Sequence, residues 1–271
     1  MKSAAKNIQL ASYDDLFKTD EERQADAQER VQSLPLDRLT PFPNHPFKVL
    51  DDEKMQETVE SIKERGVLVP ILARPTNDGN FEIVSGHRRH HASLLAGLTE
   101  IPAIVREMDD DTAILLMVDS NLQREELLPS EKAFAYKMKL DAMKRQGQRT
   151  DLTSAQIGRK FDGKESRELL AEQVGESRNQ ISRFIRLTNL VPDLLDRVDN
   201  KTMAFNAAVE VSYLTEPEQL MLCDAIEREE CTPNLSQAKR LKQYSQDGKL
   251  DENVMDAIMT EEKPIEDKLV L

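Results

Sequence analysis

The chain has 271 residues, an apolar share of 39% and a net charge of −13, a composition that suits a globular protein of more than one domain. No apolar run approaches the length of a membrane span and the N-terminus lacks the pattern of a secretory signal, so we expect a cytoplasmic protein with no membrane partner. The two cysteines, Cys223 and Cys231, are too few for a disulfide framework or a cysteine zinc site, which predicts reduced thiols.

Residues 1–33 are polar and show neither a partner strand nor a sustained hydrophobic period, which predicts a flexible leader. The leader holds one short apolar cluster (Leu10, Tyr13, Leu16 and Phe17). The proline-rich sequence over residues 34–47 then predicts extended chain and turns.

Residues 51–105 alternate between helical and strand patterns, which predicts a compact α/β domain. The Asn77-Asp78-Gly79 run supplies a turn between two of its strands. In chain order we expect a helix that begins after Asp51 or Asp52 and ends at Gly66, a buried strand over 67–74, a strand over 81–84, a helix over 87–97 and a strand over 101–105.

One of these junctions reads Gly86-His87-Arg88-Arg89-His90-His91-Ala92. A glycine that admits close approach, a new helix N-terminus and two arginines predict an anion site, most simply for a nucleotide phosphate chain. A second segment, Asn121-Leu122-Gln123-Arg124, adds an amide that suits hydrated Mg²⁺ or a ligand hydroxyl and a further arginine for phosphate. An ordinary helix start with exposed arginines is the alternative.

Zinc is a competing hypothesis for the same histidines. His87 and His91 stand four apart, on one helix face, and His45 is a conceivable third ligand. The spacing arises often by chance and no HExxH glutamate accompanies it, so the phosphate hypothesis is preferred. We expect His90 to be a packing or surface residue.

From residue 109 onward the patterns are helical. Asp109-Asp110-Asp111 suits a helix start, Leu128-Pro129-Ser130 interrupts the chain, and a long amphipathic helix is expected to end near Gly147. Beyond Thr215, amphipathic pieces lead into an acidic tail.

Residues 169–187 carry a helix-turn-helix pattern. Gly175 suits the tight turn, and Ser177 with Gln180 forms a capping box for a second helix that buries Ile181 and either Phe184 or Ile185. Residues 128–192 hold 13 basic and 8 acidic side chains, whereas the rest of the chain is acidic, which favours DNA binding over a purely structural helix pair. The candidate DNA contacts are Ser177, Arg178, Asn179, Gln180, Ser182, Arg183 and Arg186.

The order of these motifs resembles the ParB partition family over residues 34–215, with Gly66 to Pro70 reading GVLVP and Asn121 to Glu125 reading NLQRE. The resemblance implies an α+β ParB/sulfiredoxin-like N-terminal domain followed by an all-α helix-turn-helix domain. The expected boundaries are a leader over 1–33, a nucleotide-binding domain over 34–127, a DNA-binding domain over 128–215, and a helical extension with an acidic tail over 216–271.

The resemblance also implies a function: a homodimeric clamp that loads at a centromere-like site on double-stranded DNA, binds CTP with Mg²⁺, closes, and works with a ParA-type ATPase that the leader contacts. It implies a place on a nucleoid or plasmid and weak CTPase activity at most, and it leaves open whether the origin is a plasmid, a mobile element or a chromosome. By resemblance, Gly66 and Pro70 lie near the cytosine, while Asn121 holds Mg²⁺ and phosphate together with Arg124. The phosphate motif comprises Gly86, His87, Arg88, Arg89 and His91.

This chain departs from the family pattern at three positions. His87 stands where the family has glutamate, His91 replaces the last arginine of the motif, and Ser120 replaces a glutamate, with Asp119 one position earlier. Two alternatives therefore remain open. One is a nucleotide-independent helix-turn-helix transcription regulator, and the other is a nuclease or phosphotransferase that uses Asp109 to Asp111, Asp119 or the histidines.

Overall fold

The structure, a computed structural model, describes residues 30–124, 126–153 and 163–261, and side chains outside 147–165. Within these ranges the chain forms two compact units. The first comprises residues 30–42 and 49–108, and the second comprises 43–48 and 109–261. Residues 109–127, which the sequence alone placed in the first domain, belong by their contacts to the second unit.

The first unit is built on a five-stranded mixed sheet with the strand order β1-β5-β3-β4-β2. β1 and β5 are antiparallel, as are β3 and β4, while β5 pairs with β3 and β4 with β2 in parallel. The strands are β1 (Val31–Pro35), β2 (Leu39–Pro41), β3 (Ile71–Pro75), β4 (Phe81–Ser85) and β5 (Glu100–Val105).

Two helices accompany this sheet, α1 (Glu53–Arg65) and α2 (His87–Leu95). Apolar residues spaced along α1 bury Met55 and Ile62 against Ala92 of α2. Alternation in β3 places Ile71 and Ala73 in the sheet core, where both are fully buried. The predicted α/β character of this region is confirmed.

Two sequence-based expectations for this unit were wrong. Residues 31–33 of the predicted leader belong to β1, where Val31 pairs with Ile104 of β5, while residues 1–29 lie outside the described ranges. The strand predicted over 67–74 begins only at Ile71, and the side chains of Leu68 and Val69 are 75% and 62% exposed. The carbonyls of Val69 and Pro70, just before β3, accept hydrogen bonds from the Arg89 side chain.

Helices joined by short loops make up the regular structure in the described ranges of the second unit. Its helices are α3 (Asp110–Leu122), α4 (Pro129–Thr153), α5 (Gly163–Val174), α6 (Arg178–Arg186), α7 (Pro192–Asp199), α8 (Phe205–Val211), α9 (Glu216–Glu229), α10 (Leu235–Gln246) and α11 (Glu252–Met259). One apolar cluster runs through it, from Leu140 of α4 and Ile181 of α6 to Leu241 of α10 and Met255 of α11.

The long helix α4 does not end near Gly147 as predicted but continues to Thr153. A glycine inside a helix costs about 1 kcal/mol relative to alanine, which weakens a helix without ending it. Cys223 and Cys231 are both free thiols. None of the helices in the described ranges is long and apolar enough to cross a membrane.

Residues 43–48, hereafter the strap, pack with the helical unit although the chain on either side belongs to the first unit. Phe47 is 2% exposed, and the Lys48 backbone N–H donates to Glu131 Oε1 at 2.7 Å. Lys48 Nζ lies 3.3 Å from Asp199 Oδ2. The buried Asp199 also accepts hydrogen bonds from the Ser130 N–H at 2.9 Å and the Ser130 hydroxyl at 2.6 Å, so one carboxylate joins the strap, α4 and α7.

Candidate nucleotide and DNA sites

The start of α2 depends on Gly86. This residue has φ 106° and ψ 23°, a backbone conformation that L side chains rarely adopt. A Cβ added there would lie 2.7 Å from Ile71 Cγ2, so a glycine is needed for β4 to turn directly into α2. Gly86, at the N-cap position, has no side chain to cap this helix, and a glycine at a helix start is a common setting for anion binding by backbone N–H groups.

Arg88 and His91, one turn apart on α2, bind two consecutive carboxylates before α1. Arg88 Nη2 lies 3.1 Å from Asp52 Oδ1, and His91 Nε2 lies 2.7 Å from Asp51 Oδ1. Asp52 is also the N-cap of α1 and accepts the Met55 N–H at 2.8 Å. Its hydrogen bond with Arg88 holds the pKa of Asp52 below the ordinary value.

Arg89 has a different environment from Arg88. Its Nη1 donates to the carbonyls of Val69 at 2.7 Å and Pro70 at 2.5 Å, and burial lowers the pKa of Arg89. Both predicted loop residues lie in the segment that Arg89 shapes: Gly66, with φ 70°, ends α1, and Pro70 leads into β3. Arg89 therefore positions the 66–70 loop, while Arg88 binds only a side-chain carboxylate that another anion can replace.

His87 and His90 are buried packing residues. The Phe42 N–H donates to His87 Nε2 at 3.3 Å, which makes that nitrogen an acceptor. Burial lowers the pKa of His90, which hydrogen-bonds the Leu36 backbone, and its Nε2 is buried with no hydrogen-bond partner. Across the described residues, no group of three or more metal-ligating side chains forms, and the zinc hypothesis receives no support.

Asn121 and Arg124 belong to the second unit, at the end of α3. Asn121 is 5% exposed, and its Nδ2 donates to the Met117 carbonyl at 2.8 Å. The Arg124 guanidinium lies 5.8 Å from the centre of the Phe47 ring in the strap.

The acidic side chains of the nuclease alternative have structural partners. Asp109 caps α3 by accepting the Thr112 N–H at 2.8 Å, and the buried Asp111 binds Arg145 at 2.7 Å. Asp119 pairs with the buried Lys139 of α4. These contacts give Asp109, Asp111 and Asp119 a structural role at α3.

A cavity of about 470 Å³ in the second unit connects Arg124 with the turn between α5 and α6. Lys132 of α4 reaches across it to Glu176 of that turn at 3.1 Å. Burial raises the pKa of the Tyr136 hydroxyl on the cavity wall, with Glu176 contributing. The cavity thus brings the end of α3 and the helix-turn-helix turn to one polar space.

Helices α5 and α6 have the local geometry that the sequence predicts. Gly175 has φ 69° in the turn, and the Ser177 hydroxyl accepts the Gln180 N–H at 3.2 Å. The Gln180 side-chain oxygen accepts from Arg183, so the observed cap is the serine half of the predicted box. Ile181 is fully buried and Phe184 is 8% exposed, which fixes the outward face of α6.

The predicted DNA contacts divide by exposure. Gln180, Arg183 and Arg186 are half-buried. The exposed members are Ser177, Arg178, Asn179 and Ser182. Arg178 Nη1 lies 2.6 Å from Glu168 of α5, an exposed pair that DNA phosphate can replace.

Two arginines of α6 bind α8 and the residues after it. Arg183 hydrogen-bonds Asn206 and lies over the Phe205 ring at 5.1 Å. Arg186 donates to the Ser212 carbonyl at 2.8 Å. Phe205 and Asn206 could not be predicted from the sequence, because no local motif marks them and their role comes from the tertiary contact of α8 with α6.

A family model described as the ParB N-terminal domain matches residues 20–122. The chain is 35% identical over 188 residues to the chromosome-partitioning protein Spo0J of Thermus thermophilus, covering 69% of this chain and 61% of that protein. It is 36% identical over 195 residues to the probable chromosome 1-partitioning protein ParB of Deinococcus radiodurans, covering 72% and 59%. A nucleoid occlusion protein of Listeria innocua is 34% identical over 200 residues, covering 73% and 63%. The chain spans about three fifths of the length of these relatives.

Solved structures give weaker likenesses. C-terminally truncated ParB from Caulobacter crescentus, complexed to the centromeric parS site, matches with 23% identity and a TM-score of 0.43, covering 84% of this chain and 98% of that one. The same protein complexed with CTP-γ-S matches with 25% identity and a TM-score of 0.33, covering 78% and 98%. Both TM-scores lie below 0.5, so the sequence relatives carry the assignment.

The motif order, the sheet-containing unit followed by a helical unit, and the sequence relatives agree with one another. They confirm both the family resemblance and the fold class expected from the sequence. The chain carries a ParB N-terminal domain and belongs to the ParB family.

Proposed function

We propose that this protein is a DNA-binding protein of chromosome or plasmid partition that takes CTP with Mg²⁺ as a switch ligand. It acts as a homodimer, loads at a centromere-like site and works with a ParA-type ATPase. The names of the relatives, which are partitioning and nucleoid occlusion proteins, support this role. The observation that carries it is the presence, in one chain, of the helix start at Gly86, with Arg88 beside it, and the helix-turn-helix pair α5–α6.

The first unit suits the nucleotide. The α2 N-terminus and Arg88 offer N–H donors to phosphate oxygens. The exposed apolar side chains of Leu68 and Val69, in the loop that Arg89 positions, offer a surface for the base.

By family resemblance Asn121 and Arg124 serve Mg²⁺ and phosphate. Asn121 Nδ2 binds a carbonyl, which leaves its oxygen as the atom for the ion.

The second unit suits DNA. Asn179 and Ser182 are exposed on α6 and of types that reach base edges, while Arg178 suits a phosphate. Arg183, backed by Phe205 and Asn206, is a half-exposed arginine with a fixed direction. Arg124 and the α5–α6 turn line the same 470 Å³ cavity, and this proximity supports coupling between nucleotide binding and DNA binding. CTP can shift the balance between an open and a closed conformation only as far as its affinity for the two conformations differs.

The test separates the two sites. CTP, ATP, GTP and UTP are titrated calorimetrically with Mg²⁺ into the wild type, Arg88→Ala and Arg183→Ala, and DNA binding is measured on duplexes selected from a random library. We expect CTP-selective binding that Arg88→Ala abolishes while DNA binding persists, and the reverse for Arg183→Ala. Equal loss of both activities in either variant contradicts separate sites.

A nucleotide-independent transcription regulator is the second candidate. The departures His91 and Ser120 favour it, as does the engagement of Arg88 and His91 by carboxylates. It predicts that no nucleotide binds the wild type, with or without DNA, while selected duplexes still bind.

Contact between the N-terminal leader and a ParA-type ATPase rests on family resemblance alone. Because residues 31–33 belong to β1, the deletion that tests it is residues 1–29, which leaves the sheet complete. Loss of ATPase stimulation with DNA binding retained is the expected result. Unchanged stimulation contradicts the contact.

A further inference from the structure

Two carboxylates occupy the groups that the proposed nucleotide site offers to phosphate. Asp52 binds Arg88 at 3.1 Å and Asp51 binds His91 at 2.7 Å. Asp51 and Asp52 are consecutive residues just before α1, and their partners His91 and Arg88 lie one turn apart on α2. We propose that Asp51 and Asp52 are a built-in competitor, which the phosphates of a nucleotide must displace from Arg88 and His91. This inference rests on the proposed nucleotide site and names its regulation.

The pairs are suited to exchange because they are partly exposed. The side chains are 26% exposed for Arg88, 40% for Asp52, 35% for His91 and 71% for Asp51. Water and salt screen such pairs, and their net strength is small. Asp52 would also keep its hydrogen bond to the Met55 N–H after Arg88 leaves, so the cap of α1 does not have to be broken.

A triphosphate has an advantage that the carboxylates lack. The carboxylates of Asp51 and Asp52 bind side chains of α2, whereas the backbone N–H groups at its start follow Gly86, which has no side chain to cap them. A phosphate chain can take Arg88, His91 and these N–H groups together. The competitor therefore raises the threshold for binding without closing the site, and it selects against singly charged anions that cannot replace both carboxylates.

The experiment neutralises the carboxylates and keeps their shape. In Asp51→Asn/Asp52→Asn, asparagine at 52 caps α1 about as well as aspartate, and asparagine at 51 can still accept from His91. The matched control, Asp37→Asn/Glu64→Gln, removes the same charge from two other exposed acids of this unit. Calorimetric titrations with Mg²⁺ use CTP and, separately, inorganic triphosphate, and thermal unfolding checks that each variant is folded.

We expect the Asp51/Asp52 double variant to bind both probes more tightly, by about two- to fivefold for each carboxylate and roughly four- to twenty-five-fold together. The control should change by less than about twofold. Equal or weaker binding of both probes by the folded double variant overturns the inference, as does an equal gain in the control.

The two probes separate this inference from the proposed function. If CTP does not bind while triphosphate binds the double variant more tightly than the wild type, the nucleotide function fails and the competitor stands. If CTP binds the wild type and the double variant alike, the function stands and the competitor fails. If neither probe binds any variant, both are wrong.

Discussion

Replacing Gly86 with alanine should destabilise the first unit by an amount that its geometry sets. An L residue at positive φ costs about 1–2 kcal/mol, and Gly86 has φ 106°. The added Cβ would also lie 2.7 Å from Ile71 Cγ2, in a fully buried part of the sheet core, and such overpacking costs about 1–3 kcal/mol. The two contributions together give a loss of about 2–5 kcal/mol in the free energy of unfolding.

Gly79→Ala is the matched control. Gly79 has φ 81° but nothing within 4 Å of its added Cβ, so only the backbone contribution of about 1–2 kcal/mol applies. Because the chain has two units, stability is read from hydrogen exchange of β3 and β4 in increasing urea, which reports the first unit. If the two variants lose the same stability within about 0.5 kcal/mol, the close approach of Gly86 to Ile71 is wrong.

Three further predictions address single side chains. Asp199→Ala leaves a buried N–H and a buried hydroxyl of α4 unpaired and should lower the free energy of unfolding of the helical unit by about 3 kcal/mol. Asp196 is the control, because its side chain is 62% exposed. In urea unfolding, Asp196→Ala should cost less than about 1 kcal/mol. Burial lowers the pKa of His90, so as the pH falls His90 takes up a proton in the unfolded chain before it does so in the folded chain. The free energy of unfolding should therefore be highest above about pH 6.5 and fall as the pH decreases below it. His90→Asn should reduce this pH dependence, and an unchanged slope contradicts the burial of a neutral His90. Arg89→Lys keeps the positive charge but loses the two hydrogen bonds to the carbonyls of Val69 and Pro70. Chymotrypsin should therefore cleave after the exposed Leu68 faster than in the wild type. An equal cleavage rate would show that Arg89 does not hold the loop.

The elements that the sequence predicts well are those with local signals at their ends. The Asp52 cap and Gly66 bound α1, and Gly175 with Ser177 sets the turn before α6. Each of these signals acts through hydrogen bonds or backbone angles within a few residues. They can therefore be read without knowledge of the tertiary structure.

The elements that the sequence missed depend on distant partners. β1 forms because Val31 finds β5, more than sixty residues away along the chain. The late start of β3 depends on a guanidinium from α2. The strap joins the helical unit through Lys48 and two buried acids. Hydrophobic period and turn chemistry carry no information about such contacts.

Neighbouring arginines of one motif have different partners in the structure. Arg88 and Arg89 stand together in the sequence, yet the first meets a partly exposed carboxylate and the second binds backbone carbonyls. Arg186 was proposed with Arg183 for DNA, and it is bonded to the backbone after α8. Side-chain direction on a helix changes by about 100° per residue, so adjacent arginines seldom share a partner.

The strap has a consequence for dividing this protein into fragments. The chain passes between the two units three times, after residues 42, 48 and 108, and not once through a linker. A fragment that begins at Asp109 lacks Lys48, and so removes the N–H bound to Glu131 and the ammonium bound to Asp199. Both acids are buried. An autonomous DNA-binding fragment therefore needs residues 43–48 supplied back to it, as an added peptide or by circular permutation, and a simple truncation should be less stable than the same helices in the whole chain.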